Sequence, residues 1–454
     1  MADTIAAIAT GNALAAIGIV RLSGDSAIDV ADRVFFPADG GRMSEKADRK
    51  LVYGELRDGG RVLDLCLCTI SRAPNSYTGE DTAELQLHGS PVVLGECLRL
   101  LFENGARQAL AGEFTKRAFL NGRMDLTQAE AVVDLIDAET PEAAFVAADQ
   151  LGGTLLRGIE GIYSDLTDIM SHFHAVLDYP DEDIGEFELE AYAGRLAEIE
   201  ARLTALLATF ERGRVLRSGV RCAMIGRPNV GKSSILNALL GYDRAIVTDV
   251  PGTTRDTIEE KLRLGRVLLR LTDTAGLRPA GDVVESIGVE RSLAAAREAE
   301  LVIAVFDGSS PLTEGDMAVI SAAGGKERRI ALINKSDLPQ KLDEAHLRES
   351  FEHVLRVSAL RGEGFDGLER VVGDMYPSGE GHRGAMLTNE RQADAVSRAR
   401  ESVGAALSAV DAGMTPDAAL CEVEAAMSAL GELTGRTVRD DITARIFERF
   451  CVGK

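Results

Sequence analysis

Residues 226–234, Gly-Arg-Pro-Asn-Val-Gly-Lys-Ser-Ser, have the types and spacing that bind a polyphosphate. Gly226 and Gly231 bracket a loop of the form G-x-x-x-x-G-K-S, whose glycines let backbone N–H groups close around phosphate oxygens. In such a loop Lys232 reaches the β- and γ-phosphates and the Ser233 hydroxyl ligates Mg²⁺. The apolar run Val220–Ile225 predicts a buried strand before the loop. Ile235–Leu240 predicts a helix after it, with its positive end toward the phosphates. A chance glycine turn is the plain alternative, and three further segments argue against it.

Asp273-Thr274-Ala275-Gly276 follows the apolar run Val267–Leu271. An Asp at that strand end is the usual water-mediated Mg²⁺ ligand, and the Gly276 N–H is placed to sense the γ-phosphate. Asn334-Lys335-Ser336-Asp337 follows the strand-like Ile330–Ile333. Asp337 can accept two hydrogen bonds from guanine, at N1–H and the exocyclic amine, and adenine offers no such pair. Ser358-Ala359-Leu360 reads as the loop backing the base, and Gly252-Thr253-Thr254-Arg255-Asp256 falls where GTPases place switch I. Together these segments predict a GTP hydrolase. Leu277 occupies the position of a water-orienting Gln, so another group must orient the water. The Asn229 amide can coordinate a monovalent cation beside the phosphates, replacing the charge of an arginine finger. Asn as a simple turn-former is the competing reading.

Around this domain the chain has 454 residues, enough for two to four domains, and its hydrophobic content of 45% is ample for their cores. The absence of an 18-residue apolar run predicts no membrane span. Asp3 and the lack of early Lys or Arg predict no secretory signal. Six cysteines without C-x-x-C spacing argue against zinc and disulfides and for the cytoplasm. Of the net charge of −22, residues 119–218 carry −13, which repels phosphate and leaves nucleic acid to bind elsewhere or through a basic partner.

Residues 1–118 predict an α+β domain, with strands at 17–22, 63–70 and 83–89, and a helix from Pro91 to Glu103. Cys66 and Cys68 share one strand face, as small apolar packing. Helical spacing covers Ala129–Ala138, Leu155–Leu177 and Leu196–Phe210, and resumes over Asn389–Ala412 and from Asp417 to the end. The economical arrangement is a discontinuous all-α domain, 119–218 and 377–454, without a sheet to lie on. An α/β P-loop GTPase domain is inserted in it at 219–376.

Beyond the loop motifs, the chain resembles the tRNA-modification GTPase family MnmE, also called TrmE, over nearly its whole length. The resemblance rests on the loop motifs, Asp-Thr-Ala-Gly-Leu-Arg, the segment Pro74-Asn75-Ser76-Tyr77-Thr78-Gly79-Glu80-Asp81 and the terminal Phe450-Cys451-Val452-Gly453-Lys454. It implies a cytoplasmic homodimer joined through N-terminal domains, and a complex with an FAD-dependent MnmG-type protein. Together such proteins install an aminomethyl or carboxymethylaminomethyl group on C5 of the wobble uridine of certain tRNAs. The one-carbon unit comes from 5,10-methylenetetrahydrofolate, for which 5-formyltetrahydrofolate is an analogue.

By motif, the resemblance places nucleotide contacts on Asn229, Val230, Gly231, Lys232, Ser233 and Ser234, and on Thr248, Asp249, Val250, Pro251, Gly252, Thr253 and Thr254. It places K⁺ on Asn229, Thr248, Val250 and Thr253, and Mg²⁺ on Ser233 and Thr254. Glu285 orients the attacking water, beside Asn229 and Lys232 as catalytic groups. Arg21, Glu84, Arg123 and Lys454 contact the folate. The chain departs from the family at Gly11–Ala16, shorter and apolar, and at Arg123, where Lys is common. A ribosome-assembly or RNA-binding switch GTPase is the rival reading, but it wants a basic appendage and neither flank is basic.

Overall fold

Alternating buried and outward side chains between Ile5 and Gln108 build a seven-stranded sheet. Its strands are β1 (Ile5–Ile8), β2 (Ile17–Ser23), β3 (Phe35–Pro37), β4 (Val52–Asp58), β5 (Arg61–Ser71), β6 (Thr82–His88) and β7 (Arg107–Gln108). Their order is β3-β4-β5-β6-β2-β1-β7, antiparallel except where β1 meets β7. The computed structural model describes residues 3–11, 13–178, 189–241, 260–271, 295–377, 384–437, 446–447 and 450–453.

Helices Ala27–Val34 and Pro91–Glu103 cover one face of this sheet, the second opening on Pro91 in its first turn, where the missing N–H costs nothing. Val20, Leu22, Leu85 and Leu87 point into that core with Cys66, Cys68 and Cys97. Burial pushes the Cys66 thiol up to about 12 and raises Cys68 and Cys97 as well, so all three stay protonated and pack as small apolar groups. The opposite face keeps Phe36, Tyr53 and Leu65 exposed.

Packing divides the chain into two units, each interrupted in sequence: Met1–Val133 with Gln150–Leu203 and Ala395–Lys454, and Asp134–Asp149 with Thr204–Asp394. In the first, helix Thr154–Asp178 packs on helix Pro416–Thr434. Helix Pro416–Thr434 breaks the helical run expected from Asp417 onward, because Gly435 turns left-handed at φ 91 and caps it; 446–447 are helical again, and 438–445 lie outside the described residues. Farther on, Phe447 and Phe450 stack at 5.3 Å and join Leu126 and Ala129 in a small core. Val452 then bridges Ala111, and Cys451 O accepts from Gly112 N at 3.4 Å. Residues 450–453 thus lie on the N-terminal domain.

In the second unit, six strands order as β13-β12-β11-β8-β10-β9. They are β8 (Val220–Ile225), β9 (Glu260–Leu264), β10 (Val267–Leu271), β11 (Leu301–Asp307), β12 (Arg329–Asn334) and β13 (His353–Arg356). All neighbours run parallel except the β9–β10 pair. β11 is buried throughout, as a parallel strand covered on both faces must be. The helical run Leu196–Phe210 is two helices, Ala193–Leu207 and Phe210–Ser218. They part at Thr209, whose hydroxyl donates to Leu206 O at 2.6 Å and accepts from Leu387 N at 3.1 Å. Phe210–Ser218 lies on β10, so this stretch of helix does have a sheet beneath it.

Candidate nucleotide site

The loop Gly226–Gly231 leaves the carboxyl end of β8, between β10 and β11, and runs into helix Lys232–Gly241. In open α/β sheets the ligand crevice lies at these carboxyl ends, where the order reverses. Gly231 has φ 98, and a Cβ built there would stand 2.2 Å from Asn334 Nδ2. No side chain fits between the two loops. Asn229 is itself left-handed at φ 62, a conformation that asparagine tolerates better than most residues.

Asn334 is buried at 2% exposure and ties three loops together. Its Nδ2 donates to Val230 O at 2.9 Å, and its Oδ1 accepts from Ala359 N at 3.1 Å. Lys335 Nζ donates to Asn229 O at 3.1 Å and to Asp307 Oδ2 at 2.6 Å. Desolvation works against ionised Asp307, but hydrogen bonds from Lys335 and Ser309 outweigh it and hold the carboxyl below its ordinary range. Lys232 Nζ donates to the carbonyls of Gly226 at 2.7 Å and Arg227 at 3.0 Å, and burial lowers its ammonium from the usual lysine value. A phosphate at the loop would offer this desolvated cation the counter-charge it lacks.

Asp337 stands farther along the crevice, after β12. Ser358, fully buried, donates its hydroxyl to Asp337 Oδ1 at 2.6 Å, and that bond holds the carboxyl below the usual carboxylate range. Ser358 Oγ in turn accepts from Arg361 N at 3.2 Å. Leu360 beside it is 86% exposed. The structure therefore brings Asn229, Val230, Gly231, Lys232, Asn334, Lys335, Asp337, Ser358 and Ala359 into one crevice, with Ser233 and Ser234 opening the helix.

Thr248–Thr254, Asp273–Gly276, Leu277, Glu285 and Lys454 lie outside the described residues. Sequence reasoning missed Asp307 and Arg227. Asp307 closes a run of six apolar residues, a strand-end signal equal to that of Asp273. Arg227 bonds Ser310 Oγ at 2.6 Å and Asp316 at 3.1 Å, partners more than eighty residues away that no local pattern announces.

Among the residues assigned to folate, Arg21 and Glu84 face each other across β2 and β6, and Arg21 Nε donates to Glu84 Oε1 at 2.7 Å. The Arg21 guanidinium also lies 5.5 Å from the Tyr77 ring centroid and 5.8 Å from that of Phe114. Arg123 lies along Gly79 of the same loop as Tyr77: a Cβ built on Gly79 would meet its Cγ at 3.3 Å. Gly453 presses on the backbone of Ile8, next to the strand that carries Arg21.

Comparison with known proteins adds the relationship. Residues 4–123 match the family described as GTP-binding protein TrmE N-terminus, and 126–451 match the MnmE helical domain. The tRNA modification GTPase MnmE of Clostridioides difficile (strain 630) is 40% identical over 456 residues, covering 100% of this chain and 99% of that one. The chain belongs to the MnmE family. The protein of the same name from Geobacillus kaustophilus (strain HTA426) is 41% identical over 459 residues, with 100% and 99% coverage. That of Lactococcus lactis subsp. lactis (strain IL1403) is 41% identical over 455 residues, with 100% and 98% coverage. The MnmE match spans the N-terminal sheet, both helical segments and the nucleotide crevice.

Proposed function

We propose that this MnmE-family GTPase is activated by K⁺, and that with an FAD-dependent partner it builds the aminomethyl or carboxymethylaminomethyl group on C5 of wobble uridines in certain tRNAs. The observation that carries the reading is the joining of the phosphate loop to a guanine-reading carboxylate, through Asn334 and Ser358, in a chain related end to end to tRNA modification GTPases. Mass spectrometry of wobble nucleosides from a deletion strain tests it. Loss of the modified uridine, restored by the wild-type chain, is expected. Unchanged nucleosides would favour the RNA-binding switch instead.

Hydrolysis transfers the γ-phosphoryl group to water, giving GDP and phosphate. The loop amides and Lys232 hold the phosphates and Asp337 selects guanine. Ser233 and Thr254 would hold Mg²⁺, and Asn229 with the main chain of Thr248, Val250 and Thr253 would hold K⁺. These ions supply positive charge where negative charge develops on the phosphates. The donor set fits: a hydroxyl at a helix start, and an amide in a loop whose own arginine, Arg227, is held by Ser310 and Asp316. Glu285 orients the water. Glu285→Ala is expected to slow hydrolysis about 10²-fold or more with nucleotide affinity little changed. If Asp282→Ala is the crippled variant, the acid is the wrong one.

The homodimer reading is supported by the outward face of the N-terminal sheet. Phe36, Tyr53 and Leu65 stand exposed there, on the face that also carries Arg21 and Glu84. An apolar sheet face of that kind marks an interaction surface. The acid excess of residues 119–218 suits a complex in which the partner holds most of the tRNA.

For the folate, the pairing of Arg21 with Glu84 supports assigning the four residues to different parts of the ligand. Arg21 is already paired with Glu84, so it orients the carboxylate that meets the pterin's donor edge. The glutamate tail falls to Arg123 and Lys454, with Arg123 a planar fork where the family has a point charge. Calorimetry with 5-formyltetrahydrofolate is expected to show binding to the full chain, and binding at least tenfold weaker after Glu84→Ala or deletion of Cys451–Lys454. GTP hydrolysis should be unaffected by either change. Undiminished affinity in both would put the pocket elsewhere.

A further inference from the structure

The GTPase sheet holds a cavity of about 210 Å³ at the amino ends of its strands, opposite the phosphate loop. Val267 and Leu268 open β10 there, Arg328 precedes β12, and Tyr376 follows the last helix of the domain, Phe365–Met375. Its volume equals that of roughly seven liquid waters, yet much of the wall, Val215, Leu216, Leu268 and Met375, is hydrocarbon. One side is fixed by ion pairs that flank Thr140: Lys261 meets Glu139 at 2.5 Å, and Arg266 stands 3.8 Å from Glu142.

Two polar groups on this wall are unmatched. Tyr376 is 94% buried, counting from its 6% exposure, and among the described residues its hydroxyl hydrogen finds no acceptor. A buried hydroxyl left in that state is costly, and few native groups tolerate it. Arg328 lies over the same ring, its guanidinium carbon 4.6 Å from the centroid. It is half-buried, and among the described residues no carboxylate pairs with it. A guanidinium can only donate, so it offers the phenol hydrogen no acceptor. Glu211, the one carboxylate on the wall, is engaged by Arg214 at 3.1 Å.

We propose that this cavity binds a small carboxylate with an apolar body. The carboxylate would accept from the Tyr376 hydroxyl and neutralise Arg328, while the hydrocarbon fills the space between helix Phe210–Ser218 and β10. Burial, which pushes the phenol up to about 12, keeps it a donor throughout the neutral range. A protonated amine of the same shape would add a like charge beside Arg328 and leave the phenol hydrogen without an acceptor. An alcohol would satisfy the phenol and leave the guanidinium unpaired.

Calorimetry on the full chain with octanoate, 1-octanol and octylamine tests this, beside the Tyr376→Phe and Arg328→Gln variants. Octanoate is expected to bind saturably, at least tenfold more tightly than octanol, with no heat from octylamine. Each substitution should weaken octanoate binding at least tenfold while GDP affinity, read at the opposite end of the sheet, stays unchanged. Tyr376→Phe removes a single atom and keeps the packing, so it decides the matter even if Arg328→Gln disturbs the fold. No octanoate binding, equal binding of octanol, or full octanoate affinity in Tyr376→Phe would each overturn the proposal.

Discussion

Replacing KCl with NaCl at equal ionic strength is expected to slow GTP hydrolysis by this protein about 10²-fold or more, the scale of losing one positioned charge at a phosphoryl transition state. Asn229→Gly should remove the difference between the salts and leave GTP binding nearly intact. Glycine is the informative replacement because Asn229 sits at φ 62. Alanine there would add backbone strain, and a slow enzyme could then be blamed on a distorted loop. Glycine accepts that φ freely, and the Lys335 bond goes to the Asn229 main-chain oxygen, so the variant keeps it. The left-handed backbone fits an asparagine chosen only to make the turn, and it fits one chosen for its amide. The salt comparison separates the two. Equal wild-type rates in both salts would end the cation reading. A K⁺ advantage that survives Asn229→Gly would leave the asparagine a turn residue and move the cation to main-chain oxygens.

The nucleotide crevice was legible because its chemistry is local. A phosphate loop needs its glycines, lysine and hydroxyl within nine residues, and a strand on one side with a helix on the other follows from apolar runs. The ties that assemble the crevice were not legible. Asn334 was read as part of a base-recognition motif, yet its amide spends both ends holding Val230 and Ala359. Asp307 carries a local strand-end signal, but its tie to Lys335, twenty-eight residues on, has none. Periodicity also misled where helices met other elements. The pattern through Leu196–Phe210 is continuous, and only Thr209, bonded to Leu387 from far along the chain, breaks it. The pattern from Asp417 continues past the point where Gly435 ends the helix. In the N-terminal domain the family resemblance implied separate contacts from residues 21 and 84 to one ligand. Their register across β2 and β6 makes them a pair first.

Asp337→Asn is expected to weaken GTP binding about 10²- to 10⁴-fold, the loss of two charge-assisted hydrogen bonds, and to make xanthosine triphosphate the preferred substrate. Guanine presents two donors to Asp337, N1–H and the exocyclic amine, and a carboxylate accepts both. Xanthine keeps N1–H but carries an oxygen in place of the amine, so it needs one acceptor and one donor. The amide made by Asp337→Asn supplies that set. Ser358 makes the exchange specific. Its buried hydroxyl donates to one oxygen of the side chain, and it would select the amide flip that leaves Nδ2 toward the base's carbonyl. The same bond holds Asp337 below the usual carboxylate range, so guanine recognition should not weaken as pH falls from 8 to 6. Nucleotide titrations at those pH values, with both bases and both proteins, give the result. GTP affinity within a few-fold of wild type in Asp337→Asn would mean that another group reads the base. Loss of GTP without gain of xanthosine triphosphate would mean that Ser358 does not orient the amide. Ser358→Ala in the Asp337→Asn background should then change nothing, whereas with the exchange working it should lower the preference for xanthine.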